Sequence, residues 1–355
     1  MRSSKRTLFS SLGTGLLFVL ASCGGGGSGN SGGSGDPAGG ANLAGNSIYV
    51  LSGVATDVVQ LSRTASGAAA PTAIIQGTPT ASGFGTSFSG LAIDPAGNLF
   101  VGYTSGTPAA NVTVQILEYP PGANGTAKPA TTIATGLSQG PLCLEVDHAG
   151  NLYAGEWVTG IYMFSPANGG NFVQSKMIGG AATTISVPVQ MAVDSANNLY
   201  VANQDAIGDA PDSVLIFNSA ATGNVAPTNT IGGSKTLIDD IEGVALDGAG
   251  NIYVLSGLRA GTPPQVASVS IVEFSAGSTG NVAPMRTITG SSTNLSPPGG
   301  WGLRVDSTGN IYVSTNTSKI LKFAPDATGN VAPIAEIDEM PLTLGDANWT
   351  TIALN

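Results

Sequence analysis

The amino-acid sequence predicts an all-β fold in which six four-stranded antiparallel units close into a ring. Three observations carry that expectation. A hairpin written GLAIDPAGNLFVGYT at residues 90–104 recurs with an Asp six residues before an aromatic: Asp94/Phe100, Asp147/Tyr153, Asp194/Tyr200, Asp247/Tyr253 and Asp306/Tyr312. These aromatics and Tyr49 lie 51, 53, 47, 53 and 59 residues apart, and four strands at a period of about fifty residues is the spacing of a β-propeller blade. The patterned chain opens on a second strand, Ile48–Leu51, and finishes on a first strand, Thr351–Asn355, with Asn355 in the place of the recurring Asp. The two fragments make one blade only where the ends meet, so the expectation is a six-bladed β-propeller closed by its C-terminal inner strand.

Before the repeats stand two segments of other character. Residues 1–23 read as an export signal: Arg2, Lys5 and Arg6 precede a mostly apolar run, Thr7–Val19, which is too short for a membrane span. The run leads into Leu20-Ala21-Ser22-Cys23, which resembles the lipobox of bacterial lipoproteins. That resemblance implies cleavage before Cys23 and its acylation. With Gly24 next, and no Asp there to favour inner-membrane retention, it implies outer-membrane placement in the cell envelope. Residues 24–45, GGGGSGNSGGSGDPAGGANLAG, form a Gly/Ser-rich flexible linker, whose mean span is about 25 Å. The propeller occupies residues 46–355.

Within each repeat the residue types follow from backbone chemistry. The Asp that ends the first strand can accept N–H groups of the turn it opens. Gly97, Gly150, Gly250 and Gly309, and Asn197 in the third copy of the turn, suit the left-handed position that closes it. His148, the sole histidine, falls in one of these turns. A third strand ends in Tyr119, Phe164, Phe217, Phe274 or Phe323, and a short fourth strand follows, as at Thr228–Ile231 and Arg286–Thr289. Three of the loops between them read GNVAP, at Gly223–Pro227, Gly280–Pro284 and Gly329–Pro333. Pro lacks a ladder donor, so those prolines predict an exposed sheet edge.

Composition excludes several classes. Only 10% of the 355 residues are charged, and Gly (51) and Pro (21) are plentiful, as suits a turn-rich exported β protein. Residues 1–23 hold three of the 12 basic residues and none of the 22 acids, so the remainder carries nine against 22, a net of −13. Such a surface repels phosphate backbones and argues against nucleic acid as a partner. With Cys23 acylated, Cys143 stands alone inside a strand, so no disulfide framework is expected and Cys143 reads as a small buried hydrophobe.

The pattern G-[LV]-[AR]-[ILV]-D-x-x-G-N-[IL]-Y-V, followed by a strand ending in Phe, resembles the NHL-repeat propellers. Their broader six-bladed group includes gluconolactonase/paraoxonase-like hydrolases. The likeness covers residues 46–355 and is carried by turn and core positions. The family's usual Asp closing the second strand, and the Arg opening the third, are largely missing. The related hydrolases imply a divalent metal held at the central mouth by residues beside the inner strands. Here those positions are Ser89, Leu142, Val189, Glu242, Trp301 and Thr350, with one carboxylate among six. One His supplies neither a multi-His metal cage nor a paired general base, and no catalytic residue is assigned.

Function is therefore expected on the end of the ring that carries the irregular loops. Asp205, Asp209 and Asp212 fall in one loop, with Asp239, Asp240 and Glu242 in the neighbouring connection. Two readings stand for these six carboxylates: a Ca2+ site, since calcium takes six to eight oxygens, or a solvated acidic rim. Trp301 and Trp349 precede inner strands of adjacent blades and serve either as a ligand-pocket floor or as a core plug. The leading expectation is a monomeric binding or scaffold module, lipid-anchored through Cys23, for an unknown protein, peptide or saccharide ligand. A metal-dependent lactonase-like hydrolase is the alternative.

Overall fold

The computed structural model describes residues 46–52, 57–76, 87–105, 113–138, 142–157, 159–205, 212–260, 265–297, 302–315, 317, 319–338 and 350–355. Cys23 and the two N-terminal segments lie outside the described residues. Among those described there is no α-helix; twenty-four strands make six four-stranded sheets. Blade one begins with β1 (Ser47–Ser52), β2 (Asp57–Ser62) and β3 (Ala73–Gln76). Blade two is β4 (Ser87–Ile93), β5 (Leu99–Ser105), β6 (Thr113–Tyr119) and β7 (Thr131–Ala134). Blade three is β8 (Cys143–Val146), β9 (Leu152–Glu156), β10 (Gly160–Pro166) and β11 (Phe172–Ile178). Blade four is β12 (Val187–Val193), β13 (Leu199–Gln204), β14 (Ser213–Phe217) and β15 (Asn229–Gly232). Blade five is β16 (Asp240–Leu246), β17 (Ile252–Ala260), β18 (Gln265–Phe274) and β19 (Arg286–Thr289). Blade six is β20 (Gly302–Val305), β21 (Ile311–Ser314), β22 (Lys319–Phe323) and β23 (Ala335–Asp338). The last strand, β24 (Thr350–Leu354), pairs with β1 from Ile48↔Leu354 to Ser52↔Thr350 and becomes the inner strand of blade one.

The ring is closed. Each inner strand packs beside the next in the cycle β4, β8, β12, β16, β20, β24 and back to β4. The core is correspondingly six apolar wedges, one between each pair of neighbouring blades. Period-two alternation feeds two wedges from one strand: in β13, Leu199 and Val201 join the wedge shared with blade three, while Tyr200 and Ala202 join that shared with blade five. The recurring aromatics follow the same rule. Each wedge takes the second-strand aromatic of one blade and the third-strand aromatic of the next, such as Tyr153 with Phe217 and Tyr200 with Phe274. The closing wedge departs from this, pairing Tyr312 with Leu61.

Two expectations need correction. Inner strands β4, β12, β16 and β24 start earlier than the repeat suggested, while β8 and β20 start where it put them; Val189 and Glu242 therefore lie at β-bulges inside β12 and β16, and Asp240 is a strand residue paired with Gly257. The cause in blade five is length: β17 and β18 are nine and ten residues long and carry β16 with them. Five of the six outer edges are also bridged, not only blunted by proline. Gly125, Gly223, Gly280, Gly329 and Gly67 each form a parallel bridge to the outer strand of the blade before (Ile75, Ile178, Ile231, Ile288 and Ile337). The Gly of GNVAP is thus a one-residue strap that occupies an edge otherwise free to pair with another chain.

Candidate functional site

The ring has two ends, and the repeated Asp residues hold one of them. In the Asp147 turn, Oδ1 accepts from the N–H groups of Ala149 (2.9 Å) and Asn151 (2.8 Å), and Oδ2 accepts from Asn151 Nδ2 (2.8 Å) and Tyr153 OH (3.3 Å). Asp194, Asp247 and Asp306 repeat the arrangement with Tyr200, Tyr253 and Tyr312. The hydroxyl explains why Tyr stands six residues after Asp, a link that the bare spacing contained. Where Phe100 replaces Tyr, its ring meets Phe172 edge-on at 5.6 Å. Asp306 is held down to about 2: burial pushes its carboxyl up, but hydrogen bonds from Thr308 and Asn310 outweigh that. Tyr153 and Tyr312 are pushed above the usual phenol range by burial and by the adjacent carboxylates. His148 is exposed in its turn. These carboxylates are engaged by their own hairpins, which marks this end as scaffold.

At the other end the blades are joined by a device that the sequence reading missed. Thr183, Thr236 and Thr293 are fully buried, and each Oγ1 donates to the carbonyl three residues back (Gly180, Gly233, Gly290; all 2.7 Å). Each also accepts the N–H two residues on, at 3.2 Å. The Asn of the next blade's GNVAP loop caps the same connection, Asn224 Oδ1 accepting from Ala182 N at 2.6 Å and Asn330 Oδ1 from Ser292 N at 2.7 Å. The signal was present as G-x-x-T after each of the outer strands β11, β15 and β19. Three residues after the second-strand aromatic, Glu156, Asn203 and Ser256 accept the N–H groups of Ser138, Ser186 and Asp239 (2.8, 2.7 and 3.1 Å).

Two contacts span the middle of the ring. At the place two residues before the turn Asp, four blades carry buried alanines (Ala92, Ala192, Ala245, Ala353), while blade three has Glu145 and the opposite blade six has Arg304. The two pair across the ring at 3.6 Å. Burial pushes the Glu145 carboxyl up and Arg304 pulls it back. Gln190 of β12 donates from Nε2 to Leu303 O (2.8 Å) and accepts from Leu303 N (3.3 Å) and Val244 N (3.2 Å). It passes over Gly243, where a Cβ would stand 2.4 Å from Gln190 Oε1.

The acidic residues gather between blades four and five, around a cation that the sequence reading did not assign. Arg259 Nη2 pairs with Asp240 and, at 3.3 Å, with Asp212. Asp212 Oδ1 accepts from Asp205 N and its Oδ2 from Ile241 N, both at 2.8 Å, which ties a loop of blade four to the inner strand of blade five. Asp239 Oδ2 accepts from Arg259 N (2.6 Å), and Gln204 Nε2 donates to Asp240 Oδ1 (2.9 Å). Burial raises the Asp212 carboxyl to about 6 against the pull of its two backbone donors and Arg259. Glu242 is buried in the same strand as Asp240. Asp209, Trp301 and Trp349 lie outside the described residues. Among the described residues no group of three or more His, Cys, Asp or Glu is gathered to hold a metal ion. Arg259 thus neutralises part of the acidic group formed by Asp212, Asp239 and Asp240. Cys143 is buried and raised to about 12, chiefly by burial, and its Sγ lies 3.2 Å from Pro188 O.

No family model matches the chain, and no curated protein sequence matches it. Among solved structures it is similar to the WD40 β-propeller domain of Doa1, at 14% identity and a TM-score of 0.49 over 83% of this chain and 80% of that one. It is also similar to the Dos1 propeller, at 8% identity and a TM-score of 0.48 over 86% of this chain and 74% of that one. The fold rests on the strand order and the closed ring: this chain is a six-bladed β-propeller.

Proposed function

We propose that this chain is an NHL-like binding or scaffold module held in the bacterial cell envelope by acylated Cys23, with its ligand, a protein, peptide or saccharide, bound at the loop end of the ring. One contrast carries the reading. At the turn end, side chains repeat from blade to blade and are engaged within their own hairpins. At the loop end the connections differ in length, and apart from the shared Gly-x-x-Thr turns the blades carry different residues there, such as the Asp212–Arg259–Asp240 set between blades four and five. Variation on a rigid scaffold is where recognition residues reside.

The test separates anchor from site. Cys23→Ser is expected to release the protein from membranes on fractionation and to abolish the acyl mass. A native protein that is soluble and unacylated removes the anchor from the proposal. Capture of ligand from an envelope extract is expected to survive substitution of exposed turn-end positions such as His148 and to fail on substitution at the loop end; the reverse pattern removes the site.

A further inference from the structure

Two Asn-Gly pairs occur in the chain, Asn124-Gly125 and Asn168-Gly169, and the ring treats them differently. An asparagine followed by glycine is open to attack on its side chain by the next backbone nitrogen, because glycine has no Cβ to crowd that nitrogen. Both asparagines are exposed, so access to water does not separate the two pairs.

Hydrogen bonding does. Gly125 bridges the outer strand of blade one at Ile75. Its N–H donates to Ile74 O (2.7 Å) and to Asn124 Oδ1 (2.8 Å), and that same oxygen accepts from Ile74 N at 3.0 Å. The Gly125 nitrogen therefore turns its proton to the side-chain oxygen, and a second donor from the neighbouring blade fixes the amide plane. Asn168 has no such restraint. The connection from β10 to β11 is 167–171, short beside 63–72, 120–130, 218–228, 275–285 and 324–334. It makes one 3-10 turn, Asn168–Gly170, across which Ala167 N donates to Asn171 O at 2.7 Å. Gly169 stands there at φ of +80°, and among the described residues the Asn168 side chain makes no hydrogen bond. The turn also sits against blade two. Among the described residues no glycine bridge reaches β7; instead Thr131 Oγ1 donates to Gly170 O at 3.3 Å, and Phe172 packs on Phe100 just beyond the turn.

We infer that Asn168-Gly169 is a self-modification site, at which the chain converts its own asparagine to an aspartyl or isoaspartyl linkage while Asn124-Gly125 stays intact. The Gly169 nitrogen gives up its proton to hydroxide and attacks Cγ of Asn168. The N–Cγ bond forms, the bond from Cγ to the amide nitrogen breaks, and that nitrogen leaves with a proton as ammonia. Water then opens the cyclic imide at one carbonyl or the other, so the sum is one water consumed and one ammonia released. Either product puts a new negative charge in the turn. The isoaspartyl product also adds a methylene to the backbone between Ala167 and Asn171, beside the contacts with blade two. The site lies at the turn end and is independent of the loop-end binding proposed above.

The test incubates the full-length chain in mildly alkaline buffer and follows both pairs by peptide mass mapping and by enzymatic methylation of isoaspartate. In the native chain, product at position 168 is expected to exceed that at 124 by about tenfold or more, the protection of a group that reacts only after local opening. In denaturant, where the bridge to Ile75 is gone, the two pairs are expected to convert at similar rates. Asn168→Gln, which would have to close a larger ring, is expected to remove the product at 168. No product at 168 in the native chain, comparable conversion of the two pairs there, a preference for 168 that persists in denaturant, or a product that survives Asn168→Gln each overturns the inference.

Discussion

The two ends of the ring use the same residue type for opposite purposes, and the carboxylates report the difference. At the turn end Asp306 accepts hydrogen bonds from groups of its own hairpin and is held down to about 2. At the loop end Asp212 is buried between two blades and raised to about 6. A carboxylate that closes a local turn meets donors placed for it by the backbone. A carboxylate that joins separate elements gives up water first, and gains donors only as far as those elements align. The turn end therefore specifies the fold one hairpin at a time, while the loop end is where blades are free to differ.

The largest expected effect falls on the turn end. Asp306→Ala removes the acceptor of Thr308, Asn310 and Tyr312 together, and is expected to cost about 2–4 kcal/mol in denaturant unfolding, as loss of several buried hydrogen bonds does. Asp94→Ala is expected to cost less, because Phe100 brings no hydroxyl to that carboxylate. Equal losses at the two sites would show that the tyrosine contact contributes nothing.

Next in size is the cross-ring pair. Glu145→Ala leaves Arg304 partly buried without its partner, and Arg304→Ala does the converse, each expected to cost about 2–3 kcal/mol. The double replacement by alanine gives all six blades the residue that four already carry. It is expected to be milder than either single change, with a coupling of at least about 2 kcal/mol in the double-mutant cycle. Additive losses would mean that the pair is not a unit.

The smallest effects are in pH dependence, and they run in opposite directions at the two ends. Asp306 has a folded value below that of an unfolded aspartate, so its contribution is present above about pH 4 and is lost as pH falls towards 2. Asp212 has a folded value above the unfolded one, so its ionisation works against folding. Its contribution is complete below about pH 4 and is lost as pH rises through 6. Asp212→Asn is expected to flatten the melting temperature between about pH 4 and 6, the span between its unfolded and folded values, and to leave the loss towards pH 2 unchanged. An unaltered slope between those values would place the carboxylate in water.

What was legible in the chain follows the same division. Strand alternation, the Asp turn and the aromatic of each wedge are local or period-two features, and they read out directly as Asp94/Phe100 through Asp306/Tyr312. The GNVAP loops were visible, but their glycine bridges and asparagine caps act on the preceding blade, some fifty residues back by the blade period, so sequence proximity concealed them. Glu145 and Arg304 were visible as departures from alanine, yet only the ring places them opposite each other. Arg259 was hidden for another reason: it lies on strands longer than the repeat predicted, so nothing in the spacing brought it to Asp212 and Asp240. The partner of a buried charge is set by tertiary arrangement, which periodicity does not encode.

Both ends exist as described only where the ring is closed by β24. By the register with β1, the amides of Thr351 and Ala353 bond to Leu51 and Tyr49. Ala353 holds the ring position that Ala192 and Ala245 hold in blades four and five. Native-state hydrogen exchange measures the opening free energy of each of these amides. The expected result is an Ala353 amide within about 1 kcal/mol of Ala192 and Ala245, all opening only with the global unfolding of the ring. An Ala353 amide that exchanges orders of magnitude faster, as a frayed terminus does, would contradict the closed six-bladed ring.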